Sequence, residues 1–447
     1  MNLIRVSSLA LAVGLAVSAG GAAAQTLNEE TDFGLPQFYG RGKNVSVMER
    51  ERPDYQATGL HTGGFTIYPK IEIGADYDNN LFAVPGGASS AVYPFNGPKS
   101  DIGLVVSPSI VAQSNWGRHS LTALASLREE EFADYTSENR TAYTVQSYGR
   151  IDVHGDSFIN LGVDGERDYE DRGSATTQTQ AAAPVAYDSQ GAFVRGVYGQ
   201  DRLQAEVDSD FRNFHYEGVN QINPDGSQTP IDESLRDFTQ GRVEGKATFA
   251  LTPDEALDGQ VVYTNGDYLY GNTFSPKRNF SEVKVLGGGT FDIASLARGE
   301  VDLGYVDRDY ELAFYHGIKG LTAKARVEYF PTQLVTLTLT GQRLVEDAAF
   351  STASGYFENL LTLTADYELK RNIIISASTG LEEDQFQGIK RTDDAEEFKL
   401  IGRYYVNRYV GLNATLDYTN RTSSGAVGDI GPIFDETRLM VSVIFQR

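Results

Sequence analysis

FTIYPKIEIGADY, residues 65–77, alternates with period two. Phe65, Ile67, Pro69, Ile71, Ile73, Ala75 and Tyr77 fall on one side of an extended chain, and Thr66, Tyr68, Lys70, Glu72, Gly74 and Asp76 fall on the other. A strand sends successive side chains to opposite faces, so this segment presents one apolar face and one charged face. The pattern returns further along. Val335, Leu337 and Leu339 oppose Thr336, Thr338, Thr340 and Gln342; Leu361, Leu363, Ala365, Tyr367 and Leu369 oppose Thr362, Thr364, Asp366 and Glu368. Val410, Leu412, Ala414, Leu416 and Tyr418 likewise oppose Gly411, Asn413, Thr415, Asp417 and Thr419.

Working outward from residue 65, about eighteen such segments run to the C-terminus, with sixteen as the alternative count. Tight connections such as NWG (115–117), HGD (154–156), TPDE (252–255) and NR (407–408) alternate with long polar ones such as 171–186 and 217–235. An even number of antiparallel strands with short turns at one end and long loops at the other is the plan of an up-and-down outer-membrane β-barrel. Segments of about 13 residues, at roughly 3.3 Å each and tilted some 40°, rise about 33 Å, enough for a membrane and a rim. A soluble β-sandwich is the competing reading, but its strands are usually half that length. Aromatics near strand ends (Tyr77, Phe132, Tyr169, Tyr268, Tyr270, Tyr310, Phe330, Tyr404 and Tyr418) are expected to form girdles at the lipid interfaces.

Composition narrows the function classes. The 447 residues carry 61 acidic and 38 basic groups, a net charge of −23, and no cysteine. Disulfides, thiolate metal sites, Cys nucleophiles and a lipidated Cys are therefore absent. A pI near 4.6 argues against nucleic acid as a partner, because phosphate binding needs clustered Lys and Arg. Mean hydropathy of −0.32 does not argue for solubility, since a barrel wet on one face and greasy on the other averages to polar.

The five histidines, at 61, 119, 154, 215 and 316, form no Ser-His-Asp or paired-His grouping, and neither an enzyme, a cofactor nor a metal is expected. Asp76 to Asn80 supplies oxygen ligands but lacks the spacing of a calcium loop, and a turn rich in Asp and Asn needs no ion.

In a barrel of this size the charged faces line an aqueous channel. Lys70, Glu72, Arg128, Glu206, Asp208, Asp210, Arg212, Arg242, Glu244, Lys246, Lys324, Arg326, Glu328, Lys399 and Arg403 are the expected lining. Both signs occur, so neighbouring strands can pair charges across the wall.

The N-terminus reads as an address. Arg5, an apolar run from Val6 to Val17 and small residues 22–24 fit a secretory signal peptide over residues 1–24. Residues 25–64 do not alternate and would form a periplasmic segment ahead of a barrel at 65–447. Within it, Glu49, Arg50, Arg52, Pro53 and Tyr55 belong to a compact mixed-charge run that could gate the lumen or dock a partner.

VMERERPDY (47–55), GGFTIYP (63–69), DYDNNLF (76–82) and SNWGRHSL (114–121) together resemble the opening of the putative β-barrel porin 2 family of outer-membrane proteins. The resemblance implies residence in the outer membrane of a Gram-negative bacterium, insertion by the barrel-assembly machinery, and contact with membrane lipid and lipopolysaccharide. It also implies a role as the exit for extracellular or capsular polysaccharide, with periplasmic or polysaccharide-export proteins as partners. Phe445 stands third from the C-terminus, where barrel-assembly signals often end on the aromatic itself. A passive diffusion porin for small solutes and a structural barrel with a blocked lumen are the alternative functions.

Overall fold

Phe65–Asp78 forms the first long strand, β1, and it also closes the structure: it pairs with β2 (Asp101–Ser114) on one side and with the last strand, β18 (Phe434–Gln446), on the other. The structure is a computed structural model and describes residues 44–88, 96–177, 181–223, 225–293, 296–350, 352–426 and 430–447. The expected leader, and residues 25–43 of the segment after it, lie outside the described residues.

Between these ends run β3 (Ser120–Phe132), β4 (Arg140–His154), β5 (Ser157–Tyr169), β6 (Ala186–Gln200), β7 (Leu203–Tyr216) and β8 (Phe238–Ala250). They are followed by β9 (Glu255–Tyr268), β10 (Phe280–Ile293), β11 (Ala297–Tyr310), β12 (Ile318–Thr332) and β13 (Val335–Glu346). The last four before β18 are β14 (Gly355–Lys370), β15 (Ile373–Gln387), β16 (Arg391–Tyr405) and β17 (Val410–Gly425). Each pairs antiparallel with its sequence neighbours, and the β1–β18 ladder from Lys70↔Gln446 to Asp78↔Arg438 completes an 18-stranded closed barrel. Closure leaves no unpaired sheet edge in the membrane. Where β18 stops short, a small strand, Leu60–Thr62, folds back on Phe65–Ile67 and covers the exposed end of β1.

Burial runs opposite to that of a soluble protein. Leu303, Leu321, Val207 and Val163 are 64%, 71%, 59% and 58% exposed, whereas Asp208, Arg212 and Glu328 on the opposite faces are 5%, 5% and 3% exposed. Apolar side chains around the outside and charged ones within mark the outer face as the lipid face. A leucine moved from water to hydrocarbon contributes about 1.5–3 kcal/mol, so the belt drives insertion.

Two expectations are corrected. Phe132, Tyr268, Tyr310 and Phe330 do not join a lipid girdle: they share the parity of the charged face on their strands and turn inward, with Phe132 and Tyr268 only 3% and 4% exposed. Tyr77, Tyr404 and Tyr418 do face outward, and Tyr270 is exposed in the loop after β9. The expected long connection between β15 and β16 is only residues 388–390, because both strands continue above the membrane and pair there, as in Gln385↔Thr392. Polar residues on both faces of that extension conceal the strand in the sequence.

Candidate functional site

All the expected lining residues face the lumen, and most have a partner there. Arg212 grips Asp164 through two bonds of 2.7 and 3.0 Å; Arg195 lies between Glu206 (3.3 Å) and Asp208 (2.9 Å). Lys246 meets Glu300 at 2.5 Å, Arg326 meets Glu328 at 3.0 Å, Lys399 meets Asp417 at 2.9 Å, and Arg242 pairs with Glu244. Arg128 and Arg438 each lie 3.4 Å from Glu130, Glu72 accepts from Ser442, and Arg403 donates to Ser376. Lys70 shares the inward face of β1, and Lys324 stands across from Asp302 in the β11–β12 register. Sequence reading missed Asp164, Arg195, Arg298, Glu300, Asp302, Arg391 and Arg421, although the same alternation places each of them except Arg391 inside.

The five histidines stay apart, and His215 bonds Asp237 at the outer rim. Asp76 to Asn80 is occupied internally: Asp78 accepts the Asn80 amide at 2.7 Å, and the Asn80 side chain donates to Val84 and Asp435 carbonyls, both at 2.8 Å.

The N-terminal segment enters the mouth at the short-turn end of the barrel. Ser46 and Glu49 bond reciprocally, amide to carboxylate at 3.0 Å and amide to hydroxyl at 3.2 Å, a capping box that turns the chain at 46–50. The turn drives Val47, which is fully buried, against the inner wall, where its amide donates to Thr336 at 2.9 Å. Glu368, 2% exposed on β14, accepts from Arg50 at 2.9 Å and Arg52 at 3.2 Å. Arg52 also donates to the Val47 and Arg50 carbonyls, stiffening the strap.

On the other flank Arg298 bridges Glu328 of the wall (2.6 Å) and Glu49 of the strap (2.7 Å), and Asn44 donates to Asp292 at 2.6 Å. Burial opposes ionisation of Glu49, but the Ser46 amide and the Arg298 guanidinium outweigh it and hold its carboxyl below the usual range. Tyr55 lies against Tyr405, with ring centroids 6.4 Å apart, and Pro53 faces out of the mouth.

The other mouth is filled by loops. After β5 the chain drops into the lumen, with Glu170, Arg172, Ser174, Ala175 and Thr176 all 5% exposed or less. Arg172 donates two hydrogen bonds, of 2.9 and 2.6 Å, to the carboxylate of the fully buried Glu138, and Arg391 of β16, on the far wall, donates to the Ala175 carbonyl at 2.7 Å. Arg236 pairs with Glu170 and covers the Tyr216 ring at 4.2 Å. Gly173 has to be glycine: a Cβ there would lie 2.4 Å from the Phe434 ring. Beneath these loops the inward aromatics form a staircase, Phe214 stacked on Phe238 at 4.8 Å and Phe238 on Tyr268 at 5.2 Å.

A family model described as "Putative beta-barrel porin 2" matches residues 52–447. The chain belongs to that family. As a member of the β-barrel porin 2 family with a closed barrel and an apolar outer belt, it is a porin-like β-barrel protein of the bacterial outer membrane. No curated protein matches the chain. Among solved structures, the outer membrane protein opdK from Pseudomonas aeruginosa is similar at 12% identity, covering 85% of this chain and 99% of that one with a TM-score of 0.43. Acinetobacter baumannii OccAB3 is similar at 11% identity over 85% and 99%, with a TM-score of 0.46. The siderophore receptor PiuA from Acinetobacter baumannii is similar at 10% identity over 87% and 82%, with a TM-score of 0.45.

Proposed function

We propose that this porin is a gated outer-membrane conduit whose cargo is a secreted polysaccharide, with residues 44–55 as its periplasmic gate. The observation that carries the reading is the Glu368 latch, a buried wall carboxylate held by two strap arginines. A passive pore has no use for such a latch, whereas an exporter has to stay shut between cargoes. Polysaccharide is the cargo class that the family resemblance implies. The acidic balance of the chain favours a neutral or weakly charged polymer, because an anionic one would be repelled on its way through. Periplasmic export proteins would then be the partners that release the strap.

Two measurements test this. Reconstituted full-length protein is expected to conduct rarely in a planar bilayer, and a variant lacking residues 25–58 to conduct steadily. A strain lacking the gene is expected to lose surface polysaccharide while a small dye still enters at the normal rate. Normal polymer with slowed dye entry would make the protein a diffusion porin instead. A closed channel in both forms would leave a structural barrel.

A further inference from the structure

Asp258 on β9, Gly288 on β10 and Asp302 on β11 occupy one row across three strands: Asp258 pairs with Gly288, and Gly288 pairs with Asp302. The row lies in the periplasmic half of the lumen, two inward positions above Asp292, which the strap residue Asn44 contacts. Ligand oxygens of Asp258, Asp302 and Glu300 all lie within 4.8 Å of one another. We propose that these three carboxylates form a binding site for a divalent cation.

A cluster of acids can be no more than a charged wall, but this one is built differently. The Asp258 side chain is wholly buried and neither of its oxygens receives a hydrogen bond; Asp302 is 2% exposed and its Oδ1 receives none. Buried carboxylate oxygens aimed at one another without donors are costly unless something positive joins them.

Lys246 offsets part of this charge by pairing with Glu300 and Asp258, but it supplies no hydrogen bond to the orphaned Asp258 oxygens. Its Nζ is 2.5 Å from Glu300 but 3.9 Å from Asp258, outside hydrogen-bond range. Across the row, Lys324 and Arg326 are the register neighbours of Asp302 and Glu300, and Arg326 turns to Glu328. On β10, Lys284 lies 3.4 Å from Glu282.

The cradle also depends on the glycine, since a Cβ at 288 would fall 2.1 Å from Asp302 Oδ1 and displace that carboxylate. Oxygen-only donors with no sulfur or imidazole select a hard ion, Ca²⁺ or Mg²⁺, with water completing its shell. The site stands apart from the gate: a barrel that never exports would still bind the ion.

The test uses the full-length protein in detergent micelles with CaCl₂ or MgCl₂ as the only added ligand, followed by calorimetric titration and by thermal unfolding against an EDTA reference. One saturable event and a higher Tm with the ion are expected, because an ion that binds only the folded state stabilises it. Asp258→Asn and Asp302→Asn should each weaken binding at least tenfold and, in EDTA, melt above the parent, since each removes carboxylate repulsion. Gly288→Ala should weaken binding with every charge retained, which keeps the test open if an Asn variant folds poorly. Glu129→Gln, on the outer face of β3, should change nothing. Absence of heat and of any Tm shift, or undiminished binding by Asp302→Asn, would overturn the site and leave Asp258 and Asp302 as a pair sharing a proton.

Discussion

Arg50 and Glu368 meet at 2.9 Å in the short-turn mouth of the barrel, joining a segment that precedes the barrel to the inner wall of β14. Glu368 is almost wholly buried and also receives Arg52 and Arg371. Breaking a buried pair of this kind costs about 3–5 kcal/mol, because the remaining charges are stranded. Glu368→Gln is therefore expected to free the strap and raise the fraction of time that the full-length protein conducts in a bilayer. Unchanged closure would show that the strap is not what shuts the pore.

The strap should also respond to acid. The folded pKa of Glu49 lies below its ordinary value of 4.5, so its contribution is complete above that value and is lost as pH falls through the folded pKa. Protease cleavage within residues 44–55 is expected to accelerate as the medium is taken below about pH 4, the ordinary carboxylate range. In Glu49→Gln cleavage should be faster at neutral pH and flat with pH. Glu49 is half exposed, so the effect is graded rather than abrupt.

At the long-loop mouth, Arg172→Ala removes both hydrogen bonds to Glu138 and leaves that carboxylate buried without a counter-charge. A local loss of about 3–5 kcal/mol is expected. The measurement is proteolysis of the 170–185 loop on intact cells. Faster cleavage with an unaltered heat-modifiable band on a gel would show that the loop opens while the barrel holds.

The same loop can be displaced sterically. Gly173→Leu collides with the Phe434 ring and should expose the loop as Arg172→Ala does. Phe434→Ala makes room, so the double variant should regain protection. Failure of that rescue would mean the loop is not seated against Phe434.

Lipid facing can be tested at a single position. Leu303 points outward near mid-strand on β11, and Leu303→Arg is expected to cost about 2–4 kcal/mol when unfolding from lipid vesicles is followed by tryptophan fluorescence. Lys324→Gln, on the lumen side of β12, should cost far less.

Much of the barrel is legible because its signal is local. From FTIYPKIEIGADY onward, each strand states its two faces by alternation, so the strand number, the inward charges and the neighbour pairing follow from short-range pattern. The misread aromatics are instructive: Phe132, Tyr268, Tyr310 and Phe330 carry inward parity in the sequence itself, and only the general preference of aromatics for interfaces hid it. The extension of β15 and β16 was not legible, since its inward face, covered by loops, carries buried charges such as Arg391 and Asp393 opposite polar residues such as Thr392 and Asp394, so the two faces offer no apolar–polar contrast to read.

By itself, then, the sequence determined an exported, acidic, cysteine-free chain that must close into a membrane barrel, because period two and strand length are properties of neighbouring residues. Which groups meet inside the lumen was decided only by the tertiary structure. Arg50 finds Glu368 from 318 residues away, Arg391 finds Ala175 from 216 away, and Asp258, Glu300 and Asp302 converge only because Gly288 sits between two of them in register. Contacts of that reach depend on barrel closure bringing opposite walls within a side chain's length of the strap and the loops, and no local pattern in the sequence encodes that distance.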